Sequence, residues 1–168
     1  MNDLVVLVDE YDNEVGVLEK MDAHRRGNLH RAFSVFIFND QGQMLLQKRA
    51  STKYHSGGLW TNACCSHPRP EEDILTAANR RLLEEMGLTC NLKHAFSFVY
   101  KCKLDNELIE HELDHVFTGV CNELPILNIE EVEDYRYISE KELKKEIVAA
   151  PYMFTEWFKI ALPKLIIE

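Results

Sequence analysis

The sequence has no apolar run approaching the ~20 residues a helix needs to span a bilayer, so no membrane partner is expected. It lacks a basic leader as well. MNDLVVLVDEYDNE offers five apolar residues followed by acids, the wrong order for a secretory signal. Basic residues are outnumbered: 19 lysines and arginines face 28 acids, and the net charge of −9 argues against a nucleic-acid surface. A small anionic ligand stays compatible, because a few local cations override the global field. The five cysteines (64, 65, 90, 102 and 121) are odd in number and lack framework spacing, which favours reduced thiols in a cytoplasmic setting. No repeat or low-complexity linker divides the chain. The expectation is one domain over 1–168, working as a monomer.

The patterning that is present alternates strands and helices. LVVLVDEYDNEVGVLEK (4–20) reads as two short strands around an Asp-Asn turn. MDAHRRGNLHRAF follows as a loop or short helix. AFSVFIFNDQGQMLLQKRA (32–50) reads as a hairpin about Asn39-Asp40-Gln41-Gly42, and LWTNACC as one short strand. HPRPEEDILTAANRRLLEEMG predicts a loop feeding a helix. Ile74, Leu75, Ala78, Leu82 and Met86 keep helical spacing, acids crowd the first turn, and Gly87 stands at the C-terminal cap. AFSFVYKCKL and LIEHELDHVFTGV read as strands either side of Asp105-Asn106. Ser139-x-x-Glu142 is a capping box before a helix, and PYMFTEWFKIALPKLIIE predicts another, disturbed at Pro163. The fold class is α+β, with helices packed on mixed or antiparallel sheets.

Chemistry-bearing residues cluster in a few segments. In NACCSHP, Cys65 and His67 lie two apart and share a strand face, as a metal clip or as a buried thiol near a loop histidine. Cys64 points the other way, into packing. On IEHELDH, Glu110, Glu112 and Asp114 share one face, either solvated or ligating. His24, His30 and His67 fall in loops or at strand ends. Three imidazoles with two carboxylates suit Zn²⁺ or Mn²⁺ at more than tetrahedral coordination. His55, His94, His111 and His115 read as structural or surface residues, Arg80 as an ordinary helix charge, and Trp60 and Phe98 as core or as part of an aromatic wall.

Glu72, seven intervening residues and then RRLLEEMGL (80–88) resemble the Nudix signature, G-x5-E-x7-R-E-U-x-E-E-x-G-U with U apolar. In that superfamily the helix carboxylates hold divalent metals on a diphosphate. Two positions depart from it. Ser66 stands at the leading Gly, and Arg81 replaces an acid, putting a cation suited to phosphate oxygen where a metal ligand would stand.

LEKMDAHRRGNLHRAF, QKRASTK, LWTNACCSHP, RRLLEEMG, FVYK, IEHEL and MFTEWF occur in the order found in type 1 isopentenyl-diphosphate delta-isomerases, which the chain resembles from about residue 4 to 160. The resemblance implies a Nudix-like fold and the interconversion of isopentenyl and dimethylallyl diphosphate. It implies His24, His30, His67, Glu110 and Glu112 as ligands of one divalent metal. Cys65, as thiolate, and Glu112 become the proton-transfer pair, with Tyr100 assisting. Glu85 and the Cys65 carbonyl would hold Mg²⁺ carried on the substrate diphosphate. Lys20, Arg49, Lys53 and Arg81 would contact that diphosphate, and Trp157 would cover the reacting carbons. The alternative is a Nudix hydrolase of a nucleoside or other diphosphate, against which Arg81 and the Cys65/Glu112 pair both count.

Overall fold

Strand β3 (His30–Phe38) organises the molecule because it is buried on both faces, which is why its sequence runs apolar without alternation. The computed structural model describes residues 3–165. On one face Phe33, Val35 and Ile37 pack with Ala77, Ala78, Leu82 and Met86 of helix α2 (Ile74–Met86). On the other, Phe36 packs with Leu143 of α3 (Glu140–Ala149) and Phe158 of α4 (Glu156–Leu165). These two layers of helix over one sheet are the expected α+β arrangement.

All nine strands of the described residues join a single mixed sheet. β1 (Leu4–Val8) and β2 (Glu14–Glu19) form the first ribbon, which leads into the short helix α1 (Lys20–Arg26). β7 (Lys93–Lys103) and β8 (Ile109–Val120) form the other long ribbon. β8 lies parallel to β3, from His30↔Glu112 to Phe38↔Val120.

Several local expectations need correction. The turn at 39–42 forms as its chemistry demands: Asn39 Oδ1 accepts from the N–H groups of Gln41 and Gln43, and Gly42 takes φ 74°. Yet the hairpin parts after the single pair Phe38↔Met44. β3 turns to longer ladders with β8, and β4 (Met44–Arg49) pairs with β9 (Val132–Ile138). Sequence patterning does not reveal β9, whose VEDYRYI buries only its terminal Val and Ile and so shows no apolar period.

LWTNACC is two strands, β5 (Trp60–Thr61) on β4 and β6 (Cys64–Ser66) on β3. The break falls at buried Asn62, whose amide donates to the carbonyls of Val35 and Cys64 in place of ladder bonds. The acids near α2 precede the helix instead of filling its first turn, and Asp73 caps it by accepting from Thr76 N–H at 3.0 Å. Leu75 is exposed, and Ala77 takes its expected place in the core. The last helix starts only at Glu156, after a 3₁₀ turn at Pro151–Met153, and runs through Pro163 to Leu165. The rest of that predicted segment, 166–168, lies outside the described residues. Phe154 bridges to Trp60, and Thr155 N–H donates to the Trp60 carbonyl, so β5 fixes where α4 begins. No helix among the described residues is long and apolar enough to cross a membrane.

Candidate active site

Strand register builds the first part of the site. Glu112 on β8 lies opposite Tyr100 on β7 and His30 on β3, so three neighbouring strands present one row of polar side chains. Glu110 follows two residues earlier on the same face. α1 brings His24 to the row. Gly27 ends that helix at φ 71°, its N–H donating to the Ala23 carbonyl, and turns the chain into β3. His67 arrives just beyond β6.

The ligand atoms of His24, His30, His67, Glu110 and Glu112 all lie within 4.8 Å of one another. The acidic face of β8 is therefore buried and not solvated. His24 Nδ1 pairs with the Lys20 carbonyl at 2.7 Å and His30 Nδ1 with the Asn28 carbonyl at 2.9 Å, which turns both Nε2 atoms inward. Glu112 Oε2 stands 2.8 Å from His67 Nε2 and 3.1 Å from His30 Nε2. His24 Nε2 and Glu110 Oε2 are buried with no hydrogen-bond partner among the described residues. Buried polar atoms normally have partners. Three inward imidazoles, two carboxylates and two orphaned atoms fit a divalent cation.

Among the protein's own groups alone, the neighbouring carboxylates raise His24 and His30 against burial, and the two glutamates shift in opposite directions. Burial works against ionising Glu112, but a proton held on neighbouring Glu110, with hydrogen bonds from His30 and Tyr100, keeps its carboxyl down at about 2. Burial and the Glu112 charge push Glu110 up. Tyr100 is raised by burial and by the neighbouring carboxylates, so its phenol stays protonated and donates to Glu112 Oε1 at 2.6 Å.

Cys65 occupies the second part of the site. Trp157 Nε1–H donates to its sulfur at 3.1 Å, and the thiol donates to Asn62 Oδ1 at 3.1 Å. Ser34 Oγ lies 3.5 Å from the sulfur and donates to Asp114 Oδ2 at 2.7 Å. Burial and the nearby Asp114 charge push the Cys65 thiol up. The protein's own groups thus favour the neutral thiol, opposite to the thiolate expected from sequence. Cys65, Glu112 and Trp157 line one small cavity of about 30 Å³, joined through Arg49, Tyr54 and His67 to a cleft of about 420 Å³.

That cleft gathers the expected cations from separate parts of the chain: Lys20, Arg49, Lys53 and Arg81 all line it. Lys20 Nζ is 3.2 Å from Asp3, and Lys53 pairs with Glu131. Arg49 donates to the His55 carbonyl at 3.0 Å, its guanidinium 5.1 Å from the Trp157 ring centre. Arg81 reaches Glu84 at 2.6 Å and both Glu85 and Glu131 at 3.5 Å. Glu85 stays outside the five-residue cluster. It is buried and accepts from Cys64 Sγ at 3.1 Å, so Cys64 does more than pack.

Four residues of the site have surroundings that sequence patterning does not assign. His55, expected to be structural or at the surface, is buried with Nε2 3.5 Å from Glu110. Burial drives its imidazole down to about 3, so it is neutral there. Tyr54 packs against both His24 and His55, 5.7 Å and 4.3 Å from their rings. The available signal is the tight loop around them: a Cβ on Gly57 would sit 2.6 Å from the Ser51 carbonyl oxygen. Asp114 supports Cys65 through Ser34, and Glu131 lies in a segment with no predicted element. Trp60 belongs to the core, with Phe98 packed against it. His94, His111 and His115 are structural or at the surface, as expected: exposed His94 pairs with His115 at 3.2 Å, and His111 meets the Gly27 carbonyl at 3.0 Å.

Residues 28–158 match the NUDIX domain family. Over 161 residues the chain is 53% identical to an isopentenyl-diphosphate Delta-isomerase of Pectobacterium atrosepticum, covering 96% of this chain and 90% of that one. It is 51% identical to isopentenyl-diphosphate Delta-isomerase 2 of Aromatoleum aromaticum, covering 99% and 88%. A solved structure from Deinococcus radiodurans superposes with TM-score 0.74 at 20% identity over 88% and 90% of the two chains. A MutT NUDIX hydrolase from Burkholderia pseudomallei does so with TM-score 0.58 at 20% identity over 80% and 95%. At such identities these two structures speak for the fold alone. The chain belongs to the Nudix superfamily and, within it, to the isopentenyl-diphosphate delta-isomerase family.

Proposed function

We infer that the chain acts as its family does, as an isomerase that interconverts isopentenyl and dimethylallyl diphosphate. The observation that carries the residue roles is one juxtaposition: Cys65 and Glu112 line a single small cavity beside Trp157, next to a cleft lined by cations. An unactivated alkene is a feeble base. Moving its double bond requires adding a proton at the terminal carbon and removing one from the methylene two carbons away. Cys65 and Glu112 serve as the proton-transfer pair, and their roles exchange with the direction of reaction. Tyr100 orients the Glu112 carboxylate through its short hydrogen bond.

The tertiary cation between these steps lies against Trp157, whose ring face contributes about 2 kcal/mol of cation–π stabilisation once water is gone. Burial of Trp157 and Tyr100 keeps that corner dry. Lys20, Arg49, Lys53 and Arg81 bind the diphosphate, which never breaks. Arg81 supports this reading over hydrolysis, because a cation stands where the Nudix signature has a metal-binding acid. His24, His30, His67, Glu110 and Glu112 would hold one Zn²⁺ or Mn²⁺, and Glu85 with the Cys65 carbonyl would receive Mg²⁺ arriving on the substrate. Such an ion supplies fixed positive charge that orients Glu112 and lowers its proton affinity.

The test is turnover of isopentenyl diphosphate with Mg²⁺ in heavy water. Deuterium entering the carbon skeleton with the diphosphate intact is the expected result. Phosphate release without skeletal exchange would overturn it in favour of a hydrolase.

A further inference from the structure

Three acids that the roles above do not use line the cleft, Asp3, Glu84 and Glu131, and Asp3 and Glu84 each meet one assigned cation, Lys20 and Arg81. Glu131 precedes β9, far from α2 in sequence, yet its carboxylate touches two of the assigned diphosphate cations at once. Oε2 pairs with Lys53 Nζ, and Oε1 lies 3.5 Å from Arg81 Nη2. Its backbone is anchored to the segment that carries Lys53. The Glu131 carbonyl accepts from Ala50 N–H at 3.0 Å, its N–H donates to the Asn128 carbonyl at 2.9 Å, and Lys53 N–H returns to the Ala50 carbonyl at 3.1 Å. The side chain is 25% exposed. Burial favours its protonation, but the Lys53 hydrogen bond and the Arg81 charge hold it below the usual carboxylate range.

A carboxylate bridging a lysine and an arginine offers them two anionic oxygens, as one edge of a phosphate does. It also sets a negative charge beside any anion that enters. We propose that Glu131 is a resident counter-ion of the diphosphate site, which pairs Lys53 with Arg81 in the free cleft and competes with the incoming diphosphate for them. The inference rests on the reading of Lys53 and Arg81 as diphosphate contacts. It also has a kinetic rationale. Substrate and product carry the same diphosphate, so grip on that group stabilises ground and transition states alike and does not speed the chemical step. An internal competitor weakens that uniform grip and lets product leave.

The test is calorimetric titration of the full chain with inorganic pyrophosphate, with and without Mg²⁺, for the wild type and Glu131→Gln. The variant is expected to bind pyrophosphate about fivefold tighter in both conditions, the scale of a partly exposed ion pair, with KM for isopentenyl diphosphate falling in parallel. Glu131→Asp keeps the charge but withdraws it by one methylene. It should tighten binding by a smaller factor, which keeps the proposal open to measurement if the glutamine variant does not fold. Unchanged or weaker binding in both conditions would make Glu131 a strut and overturn the proposal. Weakening confined to Mg²⁺ would make it a metal ligand and overturn the proposal equally. Absence of pyrophosphate binding even in the wild type would instead bring down the diphosphate reading beneath it.

Discussion

The imidazole–carboxylate cluster and the cationic cleft adjoin each other, yet they balance charge in opposite ways. The cluster is built on strand register and is buried, and it leaves His24 Nε2 and Glu110 Oε2 without hydrogen-bond partners among the described residues. The cleft draws on two helices, a strand end and a loop, and its charges are largely paired with acids already, Lys20 with Asp3, Lys53 with Glu131 and Arg81 with Glu84 and Glu131. Arg49 rests on the His55 carbonyl, and the inner Nε atoms of Arg49 and Arg81 stay unbonded among the described residues. Unpartnered groups in a dry setting call for a permanent ion, because desolvation has been imposed by the fold. Self-paired groups at a wet surface suit a ligand that must come and go. A resident ion and a transient anion can thus be told apart by how each set of residues is satisfied in their absence.

If this division holds, substitutions at the boundary between the regions damage chemistry most. Cys65→Ser and Glu112→Gln should each lower turnover of isopentenyl diphosphate about 10²–10⁴-fold while the protein stays folded by circular dichroism. Near-normal turnover in either variant would remove that residue from the proton-transfer pair. Within the buried cluster, His67→Ala should release the bound divalent ion, seen by elemental analysis, and lower the melting temperature, since an ion that binds only the folded state stabilises it. Full metal content in that variant would exclude His67 as a ligand. Smaller again is the effect expected in the cleft. Arg81→Gln should raise KM about tenfold, as loss of one charge-assisted phosphate contact does, and change kcat less. A fall in kcat with KM unmoved would place Arg81 with the chemistry and erase the contrast between the regions.

The same contrast explains what was legible in the sequence. Residues on regular elements announced themselves. Glu110 and Glu112 alternate on a strand, Arg81 and Glu85 are four apart on a helix, and Ser139 caps α3 through Glu142 N–H at 3.2 Å. His24, His30 and His67 join them on residue type and loop position, and family resemblance gives the five as one ligand set, a convergence that no local period encodes. What escaped depends on contacts made only in the folded chain. Asp114 looked like a third acid on a polar face, and its pairing with Ser34 becomes visible only once β3 lies beside β8. Tyr54 and His55 sit in a polar loop whose burial depends on a glycine pressed against backbone. Glu131 precedes a strand without apolar alternation, so neither that element nor its partners left a signature. The opening of the 32–50 hairpin has the same origin: turn chemistry is local, and the ladders that compete for β3 and β4 are not.

The smallest effect tests how self-sufficient the cleft wall is. Arg80 holds Glu72 through two bonds, Nε to Oε2 at 2.8 Å and Nη2 to Oε1 at 2.9 Å, and Arg69 N–H adds a third at 2.9 Å. The Arg80 hydrogen bond, opposed by burial, holds the Glu72 carboxyl below its ordinary value of 4.5. A carboxylate depressed in the folded state contributes stability above its unfolded value, and that contribution fades as the pH falls through the folded one. Arg80→Gln should therefore cost about 1 kcal/mol in urea unfolding at neutral pH, a charge-assisted bond discounted for its partial exposure. The gap between variant and wild type should narrow as the pH drops below the ordinary glutamate range. A gap that stays constant down to pH about 3 would assign the loss to packing of the arginine stem instead of its charge. It would also mean that this wall of the cleft is held by shape, leaving Arg80's charge available to the incoming diphosphate.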